Sequence, residues 1–264
     1  MKAAVIQLAY GDDEPLDERA DRVIDLVRRQ RGHDLVVLPE LWSAGCFDDR
    51  AWSGAAQDVT GEVSRRLGEV AAEIGAYLHG GSIVERPADG STGPEGKDLW
   101  NTSLLFDRSG ARIATYRKIH RFGFAGGEPK LMEAGEDLAT TSVDDVPTGL
   151  TTCYDLRFPE LYRQYVDRGV ELMLVPAAWP MARVEHWRVL AQARAIENQM
   201  FVVACNTAGT HADTEMGGRS AVIDPLGRVL AEAGTEEQVL SVQIDPAQVA
   251  QARRDFPVLD DRRL

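Results

Sequence analysis

Short apolar runs alternate with helical spacings from the first residues onward. Residues 2–8 (KAAVIQL) read as a strand. Leu16, Ala20, Val23, Ile24 and Val27 then fall at i, i+4, i+7, i+8 and i+11, one face of a helix that Gly32 is placed to end. Residues 34–38 (DLVVL) form a brief apolar run of the kind buried on both faces of a sheet, and Pro39 stops it. The unit repeats in outline. Val63, Leu67, Val70, Ala71 and Ile74 predict a second helix, Gly75 its end, and residues 76–84 a strand. A polar, Gly- and Pro-rich stretch at 87–97 predicts an exposed loop. Strands at 101–106 and 111–116 flank the turn signal Asp107-Arg-Ser-Gly110.

The second half alternates in the same way. It reads as a strand at 149–153, a helix at 159–168 ended by Gly169, and an apolar strand at 171–175. A longer helix at 184–199 and a strand at 201–205 follow. A hairpin of 219–224 and 228–232 turns on Asp224-Pro-Leu-Gly227, and 239–244 give one more strand. Strand–helix pairs mixed with hairpins predict an α/β protein built of mixed sheets covered by helices, not a purely parallel barrel. No polar linker separates the halves, so residues 1–264 are expected to form a single domain. The halves resemble each other as layered units but share no residue-level repeat. Residues 252–264 hold apolar side chains and a proline without helical period. They are expected to form a C-terminal arm, either flexible or extended over a partner subunit.

Composition narrows the class of partner. The apolar fraction of 44% supports an ordinary globular core. A net charge of -13, spread along the chain, disfavours nucleic acid and anionic membrane surfaces as partners. No apolar stretch approaches the length of a membrane span, and the N-terminus meets acidic residues too soon for a signal peptide. Cys46, Cys153 and Cys205 are odd in number and far apart, so no disulfide framework is expected and a cytoplasmic setting is the default.

One of those thiols is a candidate nucleophile. Cys153, in TTCYDLRFPE, stands where a strand ends and a helix is about to begin, a position facing the crevice at the C-terminal edge of the strands. The following helix N-terminus is expected to lower the thiol pKa and to supply backbone donors for an oxyanion. On residue type alone, a buried structural thiol is the more common outcome. Glu40 lies just past another apolar strand, where a carboxylate is usually a solvated charge but in a desolvated cleft can shuttle a proton. Lys118, directly after the first hairpin, alone reads as a surface lysine.

Taken together, VVLPELW, YRKIHRFGF and TTCYDLRFPEL in that order resemble the nitrilase (carbon–nitrogen hydrolase) superfamily, with its Glu-Lys-Cys triad at Glu40, Lys118 and Cys153. LWNTS at 99–103, ARAIEN at 193–198 and SAVIDP at 220–225 extend the resemblance over essentially the whole chain. It implies a four-layer α-β-β-α sandwich, paired into homodimers or higher homo-oligomers, with no cofactor and no metal. It also implies a second glutamate between the lysine and the cysteine. Glu128 and Glu133 both stand in GGEPKLMEAG, and Glu128 fits the family's spacing to a glycine such as Gly135 better.

The implied activity is hydrolysis of a small carboxylic acid amide to acid and ammonia through a thioester on Cys153. Glu40 handles protons in both halves, Lys118 and the backbone N–H of Tyr154 hold the oxyanion, and Glu128 keeps Lys118 or the substrate nitrogen in register. The ω-amidase-like branch, acting on monoamides of small dicarboxylic acids, fits the short chain and the CYDLRF motif. Deaminated-glutathione and N-carbamoyl substrates stand as alternatives, and a nitrile is less favoured. Arg157 is a candidate carboxylate clamp, or else pairs with Asp155 or Glu160 to fix the elbow. Trp42, Phe122, Trp179 and Arg183 are candidate pocket residues, with core packing the competing role for the aromatics. Three rivals remain in view. They are a papain-like hydrolase using His120 or His186, a metal hydrolase unsupported by any His or Cys/His spacing, and a catalytically silent binding module.

Overall fold

The computed structural model describes residues 1–124 and 126–263. Fourteen strands and seven helices alternate along them, and twelve of the strands make two sheets of six. The first sheet runs, edge to edge, β14 (Gln238–Gln243), β1 (Lys2–Gln7), β2 (Leu35–Val37), β3 (Tyr77–Glu85), β4 (Trp100–Phe106) and β5 (Arg112–Arg117). The second runs β13 (Val229–Glu232), β12 (Ala221–Ile223), β9 (Phe201–Cys205), β8 (Leu172–Pro176), β7 (Val146–Leu150) and β6 (Ala139–Val143). Strands β10 (Thr210–His211) and β11 (Thr214–Glu215) pair separately.

Each sheet has a parallel core. Strands β1, β2 and β3 are parallel neighbours, as are β7, β8 and β9, and the outer strands join them antiparallel. The crossovers are α1 (Leu16–Arg28) and α3 (Glu62–Ile74) in the first half, α5 (Pro159–Asp167) and α6 (Val184–Asn198) in the second. The remaining helices are α2 (Trp52–Ala55), α4 (Gly127–Leu131) and α7 (Ala247–Asp255).

Alternation along the strands stacks the layers. Ala3 and Val5 of β1 and Leu35 and Val37 of β2 meet Leu172, Leu174, Phe201 and Val203 in one core between the sheets. Their neighbours Ala4, Ile6 and Val36 point the other way, onto Val23 and Val27 of α1 and Leu67 and Val70 of α3. Met173, Val175 and Val202 likewise turn outward onto Tyr162 of α5 and Trp187 and Ala191 of α6. The result is an α-β-β-α sandwich, as the resemblance implies.

Local signals were right about type more often than about boundary. Gly75 caps α3 in the left-handed region (φ +68°). Helix α1 stops at Arg28, whereas Gly32 (φ +92°) serves the later turn into β2. In both predicted hairpins an aspartate organises the turn. Asp107 Oδ1 accepts from the N–H groups of Ser109 and Ala111, and Asp224 Oδ1 from those of Leu226 and Arg228. The strand expected at 149–153 is β7, ending at Leu150, and its partner β6 is a strand the sequence did not announce. The β6–β7 turn places Asp144 and Asp145 at φ +45° and +64°, a geometry usually signalled by glycine or asparagine. The tail differs too. Residues 252–255, expected to lack helical order, complete α7, where Gln199 Nε2 donates to the carbonyls of Ala252 and Phe256. Further on, Arg262 pairs with Asp167 at 2.7 Å.

Candidate active site

Glu40 follows β2 at the C-terminal end of the parallel strands. Its approach depends on Gly81, which adopts φ +70° at a bulge in β3. A Cβ there would stand 1.9 Å from the carbonyl oxygen of Pro39. Ser82 Oγ accepts from the N–H of Leu41, which sits at φ +44°, and the turn aims the carboxylate inward. Glu40 is 1% exposed. Its Oε1 accepts from Lys118 Nζ at 2.7 Å and Asn101 Nδ2 at 2.8 Å, and its Oε2 from the N–H of Ala178 at 2.9 Å.

Lys118 leaves the end of β5 and is not a surface residue. Its backbone is fixed on both sides, the N–H donating to Asn101 O and the carbonyl accepting from the N–H of Gly135. The ammonium also contacts Glu128 Oε2 at 2.9 Å. Burial alone opposes charge on Lys118, but the Glu128 and Glu40 carboxylates outweigh it and hold the ammonium well above its ordinary pKa. Glu128, on α4, is pushed up by burial and by Glu40 against the pull of Lys118. Its Oε2 accepts from the N–H of Phe122 at 2.6 Å, and Asn101 Nδ2 reaches its Oε1 at 2.6 Å. Between the two glutamates considered, Glu128 is the one in the cluster, whereas Glu133 accepts from the N–H of Lys97. Asn101 binds both carboxylates, and nothing in LWNTS distinguishes it from a strand residue.

Cys153 opens a five-residue 3-10 turn, Cys153–Arg157, at φ +48°. A non-glycine residue held there is strained. The short turn does not lower the thiol pKa. Burial pushes the thiol well above its ordinary range, the Glu40 charge adds to that, and Lys118 only partly opposes them. Burial and the Glu40 charge both favour the neutral thiol over the thiolate.

Asp155 holds this elbow against the lysine segment. It is wholly buried and accepts from the N–H of Thr152 (2.9 Å), Tyr116 Oη (2.7 Å), and the N–H and Nδ1 of His120 (2.9 and 2.8 Å). Asp155 is thus no partner of Arg157, contrary to one expectation. The Asp155→Ala variant strands these donors in a dry interior, and stability should fall by about 3–5 kcal/mol. Urea unfolding measures it, and a loss below about 1 kcal/mol would show that the clamp carries little of the elbow's stability.

The cluster lines a cavity of ≈ 250 Å³ with Cys46, Phe47, Asp49 and Phe122. Cys46, with its Sγ 3.9 Å from Glu40 Oε2, went unsuspected because nothing around it in the sequence marks a site. An adjoining crevice reaches Cys153 past Tyr154, Arg157, Trp179 and Arg183, so these predicted residues and Phe122 gather at one opening. Trp42 is a correction. Its indole N–H donates to Gly80 O at 2.8 Å and its rings pack in the core between the first sheet and α1 and α3, since the Leu41 turn rotates it away from the cavity. Neither histidine serves Cys153. His120 is bound to Asp155 and stacked on Phe158 at 3.6 Å, and His186 is exposed on α6. Among the described residues no group of three or more metal-binding side chains occurs, and no helix is long and apolar enough to cross a membrane.

A buried Glu-Lys-Glu cluster facing a thiol at a strand–helix elbow coincides with a match of residues 2–254 to the carbon-nitrogen hydrolase family model. The chain belongs to that family. It is 45% identical to a 2-oxoglutaramate amidase of Paenarthrobacter nicotinovorans, over 100% of this chain and 90% of that protein. An omega-amidase of Mus musculus is 34% identical over 99% of this chain and 95% of its own length. Among solved structures, a CN-hydrolase superfamily protein of Xanthomonas campestris with an arsenic adduct in its active site superposes with a TM-score of 0.89. The identity is 32%, covering 100% of this chain and 97% of that one. The chain is an amidase of the carbon–nitrogen hydrolase type with the nitrilase sandwich.

Proposed function

We propose that this amidase removes ammonia from the ω-amide of a small dicarboxylic acid, with Cys153 as nucleophile. The observation that carries the reading is a pair of adjoining cavities that share Cys153, one lined by the Glu40-Lys118-Glu128 cluster and the other by Arg157 and Arg183. An amide carbon at Cys153 leaves its distal carboxylate facing guanidinium groups. The relatives named for 2-oxoglutaramate and omega-amides agree with such a substrate.

In acylation, Glu40 takes the thiol proton as sulfur attacks the carbonyl carbon. An ammonium has three N–H donors, and two on Lys118 are engaged by Glu40 and Glu128. The third, with the N–H of Tyr154, holds the oxyanion. Proton transfer to Glu40 removes one negative charge as the oxyanion creates another, so the net charge of the buried cluster is conserved. Collapse of the intermediate breaks the C–N bond, Glu40 protonates the leaving nitrogen, and ammonia departs from a thioester. Water, deprotonated by Glu40, then attacks the thioester and returns the proton to Cys153 through the same carboxylate. Glu128 keeps Lys118 in register throughout. The three free thiols suit a reducing cytoplasm, and the exposed Val189 and Ile196 on α6 suit a homodimer contact.

An ammonia-release assay over monoamides of small dicarboxylates, deaminated glutathione and N-carbamoyl amino acids tests the substrate. The monoamides should give the highest kcat/KM. A higher value for either of the other classes overturns the substrate assignment.

A further inference from the structure

Two lobes meet at Cys153, and they differ in charge. The larger one holds three carboxylates, those of Glu40, Glu128 and Asp49, against the single ammonium of Lys118, which Glu40 and Glu128 already engage. An anionic substrate tail is repelled there, all the more in a chain of net charge -13. The adjoining crevice holds two guanidinium groups, both on half-buried residues, and no carboxylate.

Arg157 is partly engaged. It lies 4.6 Å over the Trp179 ring, and its Nη2 is 3.4 Å from His186 Nδ1. Arg183 is less satisfied. Its guanidinium lies 5.6 Å from the centre of the Phe122 ring, and it has neither an ion pair nor a hydrogen-bond acceptor among the described residues. None of its five N–H donors has a protein acceptor among the described residues. Its backbone, by contrast, is fixed. The indole N–H of Trp179 donates to the Arg183 carbonyl at 2.8 Å, and the N–H of Trp179 is itself held by Asn206 Oδ1 at 2.6 Å. A tethered backbone with an unsatisfied fork above an aromatic face is suited to receiving a planar carboxylate.

We propose that Arg183 is the specificity-determining residue that binds the distal carboxylate of the substrate, taking one oxygen while Arg157 takes the other. This deepens the substrate assignment above and rests on it. The pair accounts for selection in two ways. A carboxylate replaces water on two cations that rest on rings, and the acidic lobe excludes the reversed pose. A neutral amide of equal length gains neither effect.

Succinamate and butyramide, which differ by a carboxylate against a methyl group at the far end, separate the outcomes. With the parent enzyme, kcat/KM for succinamate should exceed that for butyramide. In Arg183→Ala, kcat/KM for succinamate should fall about 10- to 100-fold, mainly through KM, the usual loss for one charge-assisted contact. The loss for butyramide should be at least about tenfold smaller, and Arg183→Lys should recover part of the succinamate rate as a point charge without a fork. Equal losses for both amides, or no loss for succinamate, overturn the role of Arg183 and leave the substrate assignment standing. A parent enzyme with no preference for succinamate overturns the substrate assignment and this role together.

Discussion

The Cys153→Ala variant should fold as the parent does and release no ammonia from any amide. Removal of one sulfur atom from a largely buried side chain leaves a small void, and the backbone at φ +48° is no harder for alanine than for cysteine. Thr152 and Asp155 still close the elbow, so the melting temperature should stay within a few degrees of the parent. Catalysis has no such fallback. Cys46 lies on a different loop, with its Sγ 3.9 Å from Glu40 Oε2, and burial pushes its own thiol well above the ordinary range. Loss of a nucleophile whose partners act as a unit typically costs about 10⁴-fold or more. Ammonia release and thermal unfolding on the same preparation check both halves. Residual turnover above about one per cent would remove Cys153 from the nucleophile's place.

The segments that carry this chemistry were legible because each lies at the end of one strand. Glu40 after β2, Lys118 after β5 and Cys153 after β7 each sit within a few residues of an apolar run that ends in a turn. Strands β2 and β7 belong to the parallel cores, and β5, two antiparallel steps from β3, runs the same way as β3. Strand prediction and residue type together therefore point to a shared crevice. The supporting residues were less visible. Asn101 lies within β4 and Asp155 two residues past Cys153, and each acts by binding segments remote in sequence. Trp42 was misplaced for a related reason. A single residue at positive φ, Leu41, decides which way its neighbour points, and leucine gives no sign of that conformation. The helix-dipole argument for Cys153 failed because the element is a single 3-10 turn, too short to offset burial and the Glu40 charge.

The Glu40→Gln variant should move two properties of Cys153 in opposite directions. Burial and the Glu40 charge both hold the thiol up, while Lys118 pulls it down. An amide in place of the carboxylate removes one upward push and leaves Lys118 in place, so the thiol pKa falls and the thiolate fraction at neutral pH rises. Alkylation by iodoacetamide, a neutral electrophile that needs only thiolate, should therefore be faster than in the parent at pH 7. Amide turnover should instead fall by about 10²- to 10⁴-fold, because neither the departing nitrogen nor the attacking water has a group with which to exchange a proton. Glutamine can still accept from Lys118 and Asn101 through its oxygen, but its NH₂ then faces the N–H of Ala178. That donor–donor contact should cost about 1–3 kcal/mol of stability and leave the chain folded. Pseudo-first-order alkylation and ammonia release on one preparation decide the matter. If both rates fall together, Glu40 shapes the site without moving protons, and the thioester route needs another base.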